Sequence, residues 1–145
     1  MKKASKVLLL IAGIVSIVMA VLWLVLSIIE FVRAGQVYAI YAARNAGNAV
    51  VPPDWYMEYF KAHHSEYKTF LEFTEAYAGS FILSGVLFLV FCIFCIPCAI
   101  LSFISKNREN KGLFICDIIF GVLSGTALST LGGIFGLIAV GTKKE

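Results

Sequence analysis

Long apolar segments separated by polar stretches set the pattern of the chain. Residues 7–33 and 79–105 each hold an apolar run long enough to cross a bilayer as a helix, which takes about 20 residues. Residues 113–141 form a third apolar segment. The pattern predicts an all-α integral membrane bundle that consists of three hydrophobic segments and a polar helical insertion between the first two.

The third segment leaves two arrangements open. It is long for one crossing and short for two, because two full crossings need about 40 residues. One crossing would place Lys143 and Lys144 on the side opposite to the other basic clusters. A turn near Ser124-Gly125-Thr126 would bring them back and give four helices in total.

The sequence pattern over residues 36–78 predicts a helical hairpin. An Ala-rich helix up to about residue 48 is followed by Val51-Pro52-Pro53, and a residue before proline avoids the helical region. Beyond this turn, residues recur at spacings of four and three, which predicts the seam of a helix that packs on another. The seam consists of Tyr56, Phe60, His63, Tyr67, Phe70, Thr74, Tyr77 and Phe81. We expect one nearly continuous helix over residues 54–105, whose first part is aqueous.

Composition and charge add a location and an orientation. With 60% hydrophobic and 14% charged residues, the chain lies outside the usual balance of soluble domains. Lysine and arginine cluster at residues 2–6, in the loop 106–112 and at 143–144, whereas residues 36–78 hold three basic and five acidic side chains. The positive-inside rule then predicts a multi-pass plasma-membrane protein with a cytoplasmic N-terminus, a cytoplasmic loop 106–112 and an extracytoplasmic hairpin. An acidic aromatic region also argues against nucleic acid as a partner.

The first apolar run begins like a signal peptide, because Lys2, Lys3 and Lys6 precede it and Val32-Arg33-Ala34 resembles a cleavage site. Its apolar stretch is, however, about twice as long as that of a usual signal peptide, which favours a retained membrane anchor.

Small residues at four-residue spacing predict surfaces where helices pack closely. These residues are Ala12, Ser16 and Ala20 in the first segment and Gly121, Gly125, Ser129 and Gly133 in the last. Glu30 and Arg33 are three apart and can form an ion pair at the end of the first span.

Three groups of residues are candidates for chemistry. Cys92, Cys95 and Cys98 have the spacing of an iron–sulfur or metal site, but a helix would spread them over about 120° of its surface, so packing is the favoured interpretation and metal, redox or lipidation chemistry the alternative.

His63, His64 and Glu66 could bind a metal or could serve packing and solvation. Asp117 lies in an apolar segment, where an ionisable group defaults to a functional hypothesis. It could be a structural anchor paired with Lys6 or Lys111, or a proton or ion relay. No nucleophile lies near a base, so we expect neither an enzyme nor a cofactor.

The aromatic residues of the hairpin predict its role. There are more of them than two helices can bury, and exposed apolar surface marks an interaction site. They are Trp55, Tyr56, Tyr59, Phe60, Tyr67, Phe70, Phe73 and Tyr77. The leading hypothesis is a non-enzymatic membrane protein whose hairpin binds a protein partner or a second copy, in an accessory, immunity or assembly role. The alternative is an oligomeric channel or transporter component that uses Asp117 and the glycine-rich last segment.

Several apolar strings also carry a resemblance. MKKASKVLLLIAGIVSIV at the start, the basic loop after the middle span, and FGVLSG followed by LGGIFGLIA before a lysine tail resemble a family of small uncharacterised multi-pass membrane proteins of Gram-positive bacteria. The resemblance implies a bacterial plasma membrane and three or four hydrophobic helices. It implies no catalytic residue.

Overall fold

A computed structural model describes residues 2–63 and 69–142. These residues form five helices and no strand, which confirms the all-α class: α1 (Lys2–Asn45), α2 (Asp54–His63), α3 (Phe70–Asn107), α4 (Lys111–Leu123) and α5 (Ala127–Gly141). By length and composition, α1 and α3 are apolar and long enough to cross a membrane. Five residues used in the sequence predictions lie outside the described residues: His64, Glu66, Tyr67, Lys143 and Lys144.

The chain divides into two compact units. Unit 1 comprises Met1–Val25 and Phe88–Glu145, and unit 2 comprises Leu26–Leu87. Because of these boundaries, α1 and α3 each contribute one part to unit 1 and another part to unit 2.

The chain enters and leaves the helices of unit 2 through local backbone signals. α1 ends at Asn45, and Gly47 follows with a φ of 78°, a left-handed conformation that glycine adopts without strain. The backbone N–H groups of Tyr56 and Met57 then donate to the Pro53 carbonyl oxygen and begin α2. Asp54 lies in the first turn of α2, where its negative charge suits the helix dipole.

The expectation of a continuous helix over residues 54–105 is wrong. The ring centroid of Tyr59 in α2 lies 5.4 Å from that of Tyr77 and 6.0 Å from that of Phe81, both in α3. In one straight helix, Tyr59 and Tyr77 would be about 27 Å apart at about 1.5 Å per residue. α2 therefore folds back along α3, because rings on both helices can then bury one another. The predicted two-helix hairpin consists instead of three helical pieces, contributed by α1, α2 and α3.

In unit 1, the third hydrophobic segment forms two packed helices. The chain turns at Ser124-Gly125-Thr126, where Gly125 has a φ of 71°. The side-chain oxygen of Asn110 accepts a hydrogen bond from the Gly112 backbone N–H at 2.9 Å and caps α4. The connection between α3 and α4 is shorter than the predicted loop 106–112, because α3 continues to Asn107 and α4 begins at Lys111.

Glycines allow α4 and α5 to approach closely. A Cβ atom at Gly133 would lie 2.7 Å from the carbonyl oxygen of Phe114, and one at Gly121 would lie 2.8 Å from the backbone nitrogen of Thr130. Ser129 is buried in the same contact. Gly125 does not belong to this packing surface as predicted, because the turn requires it for its backbone conformation.

The small residues of α1 face the interior of unit 1. Ala12 and Ser16 are fully buried and Ala20 is half-buried. The Ser16 hydroxyl donates to the Cys98 sulfur of α3 at 3.5 Å, and the Ser5 hydroxyl donates to the Gly132 carbonyl oxygen of α5 at 3.0 Å. These hydrogen bonds attach α1 to both α3 and α5.

The close approach of α4 and α5 yields a prediction for Gly133→Ala. The new methyl group meets backbone rather than a flexible side chain, so the helices must separate, and we expect a loss of about 1–3 kcal/mol in the free energy of unfolding. Gly141→Ala is the control on the same helix, since a Cβ there meets no atom within 4 Å. Unfolding of the purified protein in mixed micelles, followed by circular dichroism, measures both. Equal stability of the two variants would contradict this packing.

Candidate functional site

Unit 2 is held together by a group of rings that we call the aromatic cluster. It consists of Trp55, Tyr56, Tyr59, Phe60, Phe70, Phe73, Tyr77 and Phe81, packed against Val37 and Ile40 of α1. Tyr56 and Phe73 lie at its centre, fully buried, with ring centroids 5.4 Å apart. Tyr59 and Tyr77 meet edge to face, an arrangement that aromatic rings favour.

The predicted interaction residues are placed inside this cluster. Of the eight aromatic residues between Trp55 and Tyr77, seven belong to the described part of the chain and Tyr67 does not. Two of the seven are buried and five are half-buried, so none is exposed. The excess of exposed ring surface expected from the sequence is therefore not seen among these seven residues, because α2 covers the rings of α3 and α3 covers the rings of α2.

Two arginines of α1 extend the cluster with cation–π contacts. The guanidinium carbon of Arg44 lies 4.5 Å from the ring centroid of Phe70 in α3, and that of Arg33 lies 5.3 Å from the ring of Trp55 in α2. Arg33 also donates to Glu30 at 2.9 Å, which confirms the predicted ion pair. Neither ring contact was predicted from the sequence, although the surplus of aromatic residues that follow these arginines in the chain is the signal for such contacts.

His63 takes part in packing. Its Nδ1 lies 2.9 Å from the Tyr59 carbonyl oxygen, and its ring centroid lies 4.5 Å from that of Tyr59. The other two residues of the predicted metal site, His64 and Glu66, are outside the described residues. Within the described ranges, no three histidine, cysteine, aspartate or glutamate side chains gather as metal ligands.

The three cysteines of α3 are buried free thiols. Cys98 accepts the hydrogen bond from Ser16, and the Cys95 sulfur lies 4.0 Å from the Ser124 carbonyl oxygen. Cys92 is 8% exposed. All three thiols are thus buried, and those of Cys95 and Cys98 contact other parts of unit 1, which supports the packing interpretation.

Unit 1 encloses a polar group that we call the Asp117 cluster, made of Asp117, Ser102, Ser105 and Ser129. Asp117 in α4 is 0% exposed. The Ser102 hydroxyl of α3 donates to its Oδ1 at 3.3 Å and lies 3.1 Å from the Ser129 hydroxyl of α5. Ser129 in turn donates to the Asp117 backbone carbonyl at 3.3 Å. The hydrogen bonds of the Asp117 cluster thus join three helices, α3, α4 and α5.

Asp117 does not pair with Lys6 or Lys111 as predicted; within the described residues it forms no ion pair. The reason is its direction, since the side chain faces α3 and α5 inside unit 1. Its Oδ2 and the Ser105 hydroxyl both lack a hydrogen-bond partner among the described residues. A carboxyl group in such a place can hold a proton or a small cation.

Asp117 was predicted from the sequence as a candidate site residue, but the serines around it were not. Ser102 and Ser105 are three residues apart and therefore lie on one face of α3. This spacing is a signal that could have been used, but serine is common in apolar helices as a small packing residue.

Tyr56 combines a buried position in the aromatic cluster with an altered pKa. Burial raises the pKa of its hydroxyl above the ordinary value of about 10, and the neighbouring Thr74 hydroxyl offsets part of this effect. Among the described residues the Tyr56 hydroxyl has no partner that satisfies hydrogen-bond geometry. Its oxygen is thus buried without full compensation.

We therefore expect Tyr56→Phe to stabilise the protein by about 1 kcal/mol at neutral pH, because it removes a buried and unsatisfied hydroxyl. The parent should also lose stability as the pH rises above about 10, since its unfolded state releases the Tyr56 proton before the folded state does. The phenylalanine variant lacks this loss, so the difference in unfolding free energy grows with pH. Tyr38→Phe, at an exposed position, is the control. A variant less stable than the parent at all pH values would show that the hydroxyl has a partner.

Comparison with known proteins does not point to a family for this chain. No protein-family model, no curated protein sequence and no solved structure matches the chain.

Proposed function

We propose that this chain is an integral membrane protein that crosses the plasma membrane with α1 and α3 and acts by binding another protein, without catalysis. The observation that carries the membrane assignment is the exposure of the two long helices. In the most apolar 18-residue stretch of each helix, only 22% of α1 and 28% of α3 are buried inside the structure. A core helix of a soluble protein would be mostly buried, whereas lipid can cover these surfaces.

The distribution of side chains in unit 1 supports the same proposal. Large apolar residues such as Val18, Leu22 and Val122 are exposed, while Asp117 and Ser102 are fully buried. Hydrocarbon offers no hydrogen bonds, so a chain within it must satisfy its polar groups internally.

α1 is proposed to be a retained anchor. Ser5 and Ser16 attach it to unit 1, and the Ser27 hydroxyl donates to the Gly85 carbonyl oxygen of α3 within unit 2 at 2.8 Å. If α1 were cleaved as a signal peptide, both units would lose these hydrogen bonds.

Charge supports the orientation. The lysines near the N-terminus and the residues around Arg108 are proposed to lie in the cytoplasm, with residues 36–78 outside. α4 and α5 have 13 and 15 residues, each about 20 Å long and shorter than the roughly 30 Å hydrocarbon layer, so we propose that they enter and return from the cytoplasmic side. This arrangement agrees with the bacterial plasma membrane that the family resemblance implies.

The partner-binding surface is proposed to lie beside the aromatic cluster rather than on its rings. The cluster makes unit 2 rigid, and the loop between α1 and α2 projects Val51, which is 93% exposed. A shallow groove lined by Arg44, Val50 and Leu71 adjoins this loop. An apolar side chain so exposed, in a loop stiffened by Pro52 and Pro53, needs little ordering on binding.

Substitution of the rings would be a poor test, because removal of a packed ring unfolds unit 2 together with any binding surface. A photo-crosslinking amino acid at Val51 is sharper, and the same probe at Tyr38, an exposed side chain of α1, is the control. We expect one discrete adduct from Val51 in intact cells, at least tenfold above that from Tyr38. Excess unlabelled parent chain should remove this adduct by competition, whereas excess Val51→Asp chain should not. Two differently tagged copies of the chain show whether the adduct is a dimer. Equal adducts at both positions, or none, would contradict a binding loop at Val51.

The Asp117 cluster favours a second candidate function, a channel or transporter component. A buried carboxyl with an unsatisfied oxygen can serve as a proton or cation site. Proton and sodium flux into liposomes, compared between the parent and Asp117→Asn, decides between the candidates. Under the leading proposal neither form conducts above empty liposomes, whereas flux in the parent that falls at least tenfold in Asp117→Asn would establish the second.

A further inference from the structure

We propose that a cleft at the lysine-bearing end of unit 1 binds the phosphate group of an anionic membrane lipid. This inference rests on the proposed membrane insertion of the protein. The cleft lies between α1, α3, α4 and α5, and its polar lining includes Lys2, Lys6, Ser105 and Lys106. We call it the lysine cleft.

The charge of the lysine cleft favours an anion. Three lysines and one glutamate, Glu109, line it, which leaves two positive charges in excess. Lys2 forms an ion pair with Glu109. Lys6 and Lys106 have no carboxylate partner in the described part of the chain. Their two ammonium groups are therefore available to a ligand.

Ser105 makes the cleft more than a charged patch. It lines the cleft, is only 2% exposed, and its hydroxyl has no hydrogen-bond partner among the described residues, although it lies near the Asp117 carboxyl. The other hydroxyl of the cleft, that of Ser5, already donates to the Gly132 carbonyl oxygen. No hydrogen bond of good geometry to the described residues satisfies the Ser105 hydroxyl, and we infer that it turns toward the ligand when one is bound.

The size of the cleft specifies what enters it. Its volume is about 10 Å³, close to that of one water-sized sphere. A space of this size admits one oxygen atom of a phosphate group, which we place on the Ser105 side, with the rest of the group at the rim beside Lys6 and Lys106. A charge-assisted hydrogen bond from an ammonium group to phosphate is stronger than one between neutral groups.

Apolar residues beside the cleft favour a lipid over free phosphate. Phe114, Ala139 and Val140 complete the lining. Ile115 and Ile138 on the same two helices expose apolar side chains that acyl chains can cover. Basic clefts between helices at the cytoplasmic face are a known mode of anionic headgroup recognition.

The test uses the full-length protein in a neutral detergent, with native mass spectrometry to measure the fraction that retains one phosphatidylglycerol molecule. Phosphatidylcholine, whose headgroup is zwitterionic, is the lipid control, and inorganic phosphate is the competitor. We expect at least tenfold higher retention of phosphatidylglycerol than of phosphatidylcholine, with no displacement by millimolar inorganic phosphate.

Variants locate the site. One lysine near a membrane contributes about fivefold in affinity for anionic lipid, so Lys6→Gln with Lys106→Gln should lower retention of phosphatidylglycerol about thirtyfold. Ser105→Ala should lower it severalfold without a change in charge. The matched control is Arg108→Gln with Lys111→Gln, which removes the same charge at positions that do not line the cleft.

Three results would overturn the inference. An equal loss in the control pair would show general attraction to a basic surface, and displacement by inorganic phosphate would assign the cleft to free phosphate. Membrane fractionation of the same variants separates this failure from failure of the proposed function: a protein that fractionates with the membrane but shows no lipid preference refutes the cleft alone.

Discussion

The need to satisfy polar groups from within is the constraint on which unit 1 depends. Its long helices expose apolar side chains, and in lipid such an exterior supplies no hydrogen-bond partner. Ser5, Ser16 and Ser102 accordingly direct their hydroxyls to acceptors on other helices, and Asp117 lies where α3, α4 and α5 meet. Glycines at the contact of α4 and α5 let the backbones approach closely enough for these short side chains to reach one another.

Unit 2 is stabilised by a different kind of contact. Aromatic rings and two arginines join its helices, together with the hydrogen bond from the Ser27 hydroxyl to the Gly85 carbonyl oxygen. Arg33 contacts α2 through Trp55, and Arg44 contacts α3 through Phe70, so α1 is bound to both of its neighbours. A unit stabilised in this way can present a loop such as that of Val51 without reorganising when a partner binds.

Local signals in the sequence predicted much of this fold. The end of α1 near Gly47 was expected, and the turn at Ser124-Gly125-Thr126 was one of the two arrangements left open, because glycine, proline and polar residues act through the backbone of their immediate neighbours. The fold-back of α2 was not expected, because a spacing of three and four residues is the same whether a helix continues or is interrupted and reversed. That distinction depends on which rings meet in space, as Tyr59 and Tyr77 do.

The candidate sites, like the fold, could be predicted from the sequence only where the signal is local. Asp117 is conspicuous in an apolar segment, so the sequence identified it, but its partner Ser102 comes from another helix and could not be assigned from spacing alone. The aromatic residues were identified as a group, whereas their burial could not be known before α2 was placed against α3. The chemical character of a residue can thus be read from the sequence, whereas the exposure of its side chain depends on how the helices pack.

The central claim is that lipid covers the apolar exterior of the long helices while unit 2 presents its loop to water. Spin labels at Val18 of α1, which is 62% exposed, and at Val51 test it most directly in the protein reconstituted into bilayers. Relaxation by oxygen, which concentrates in lipid, should dominate at Val18, and relaxation by a water-soluble nickel chelate should dominate at Val51. Strong relaxation of the Val18 label by the nickel chelate would place that face of α1 in water and contradict the account.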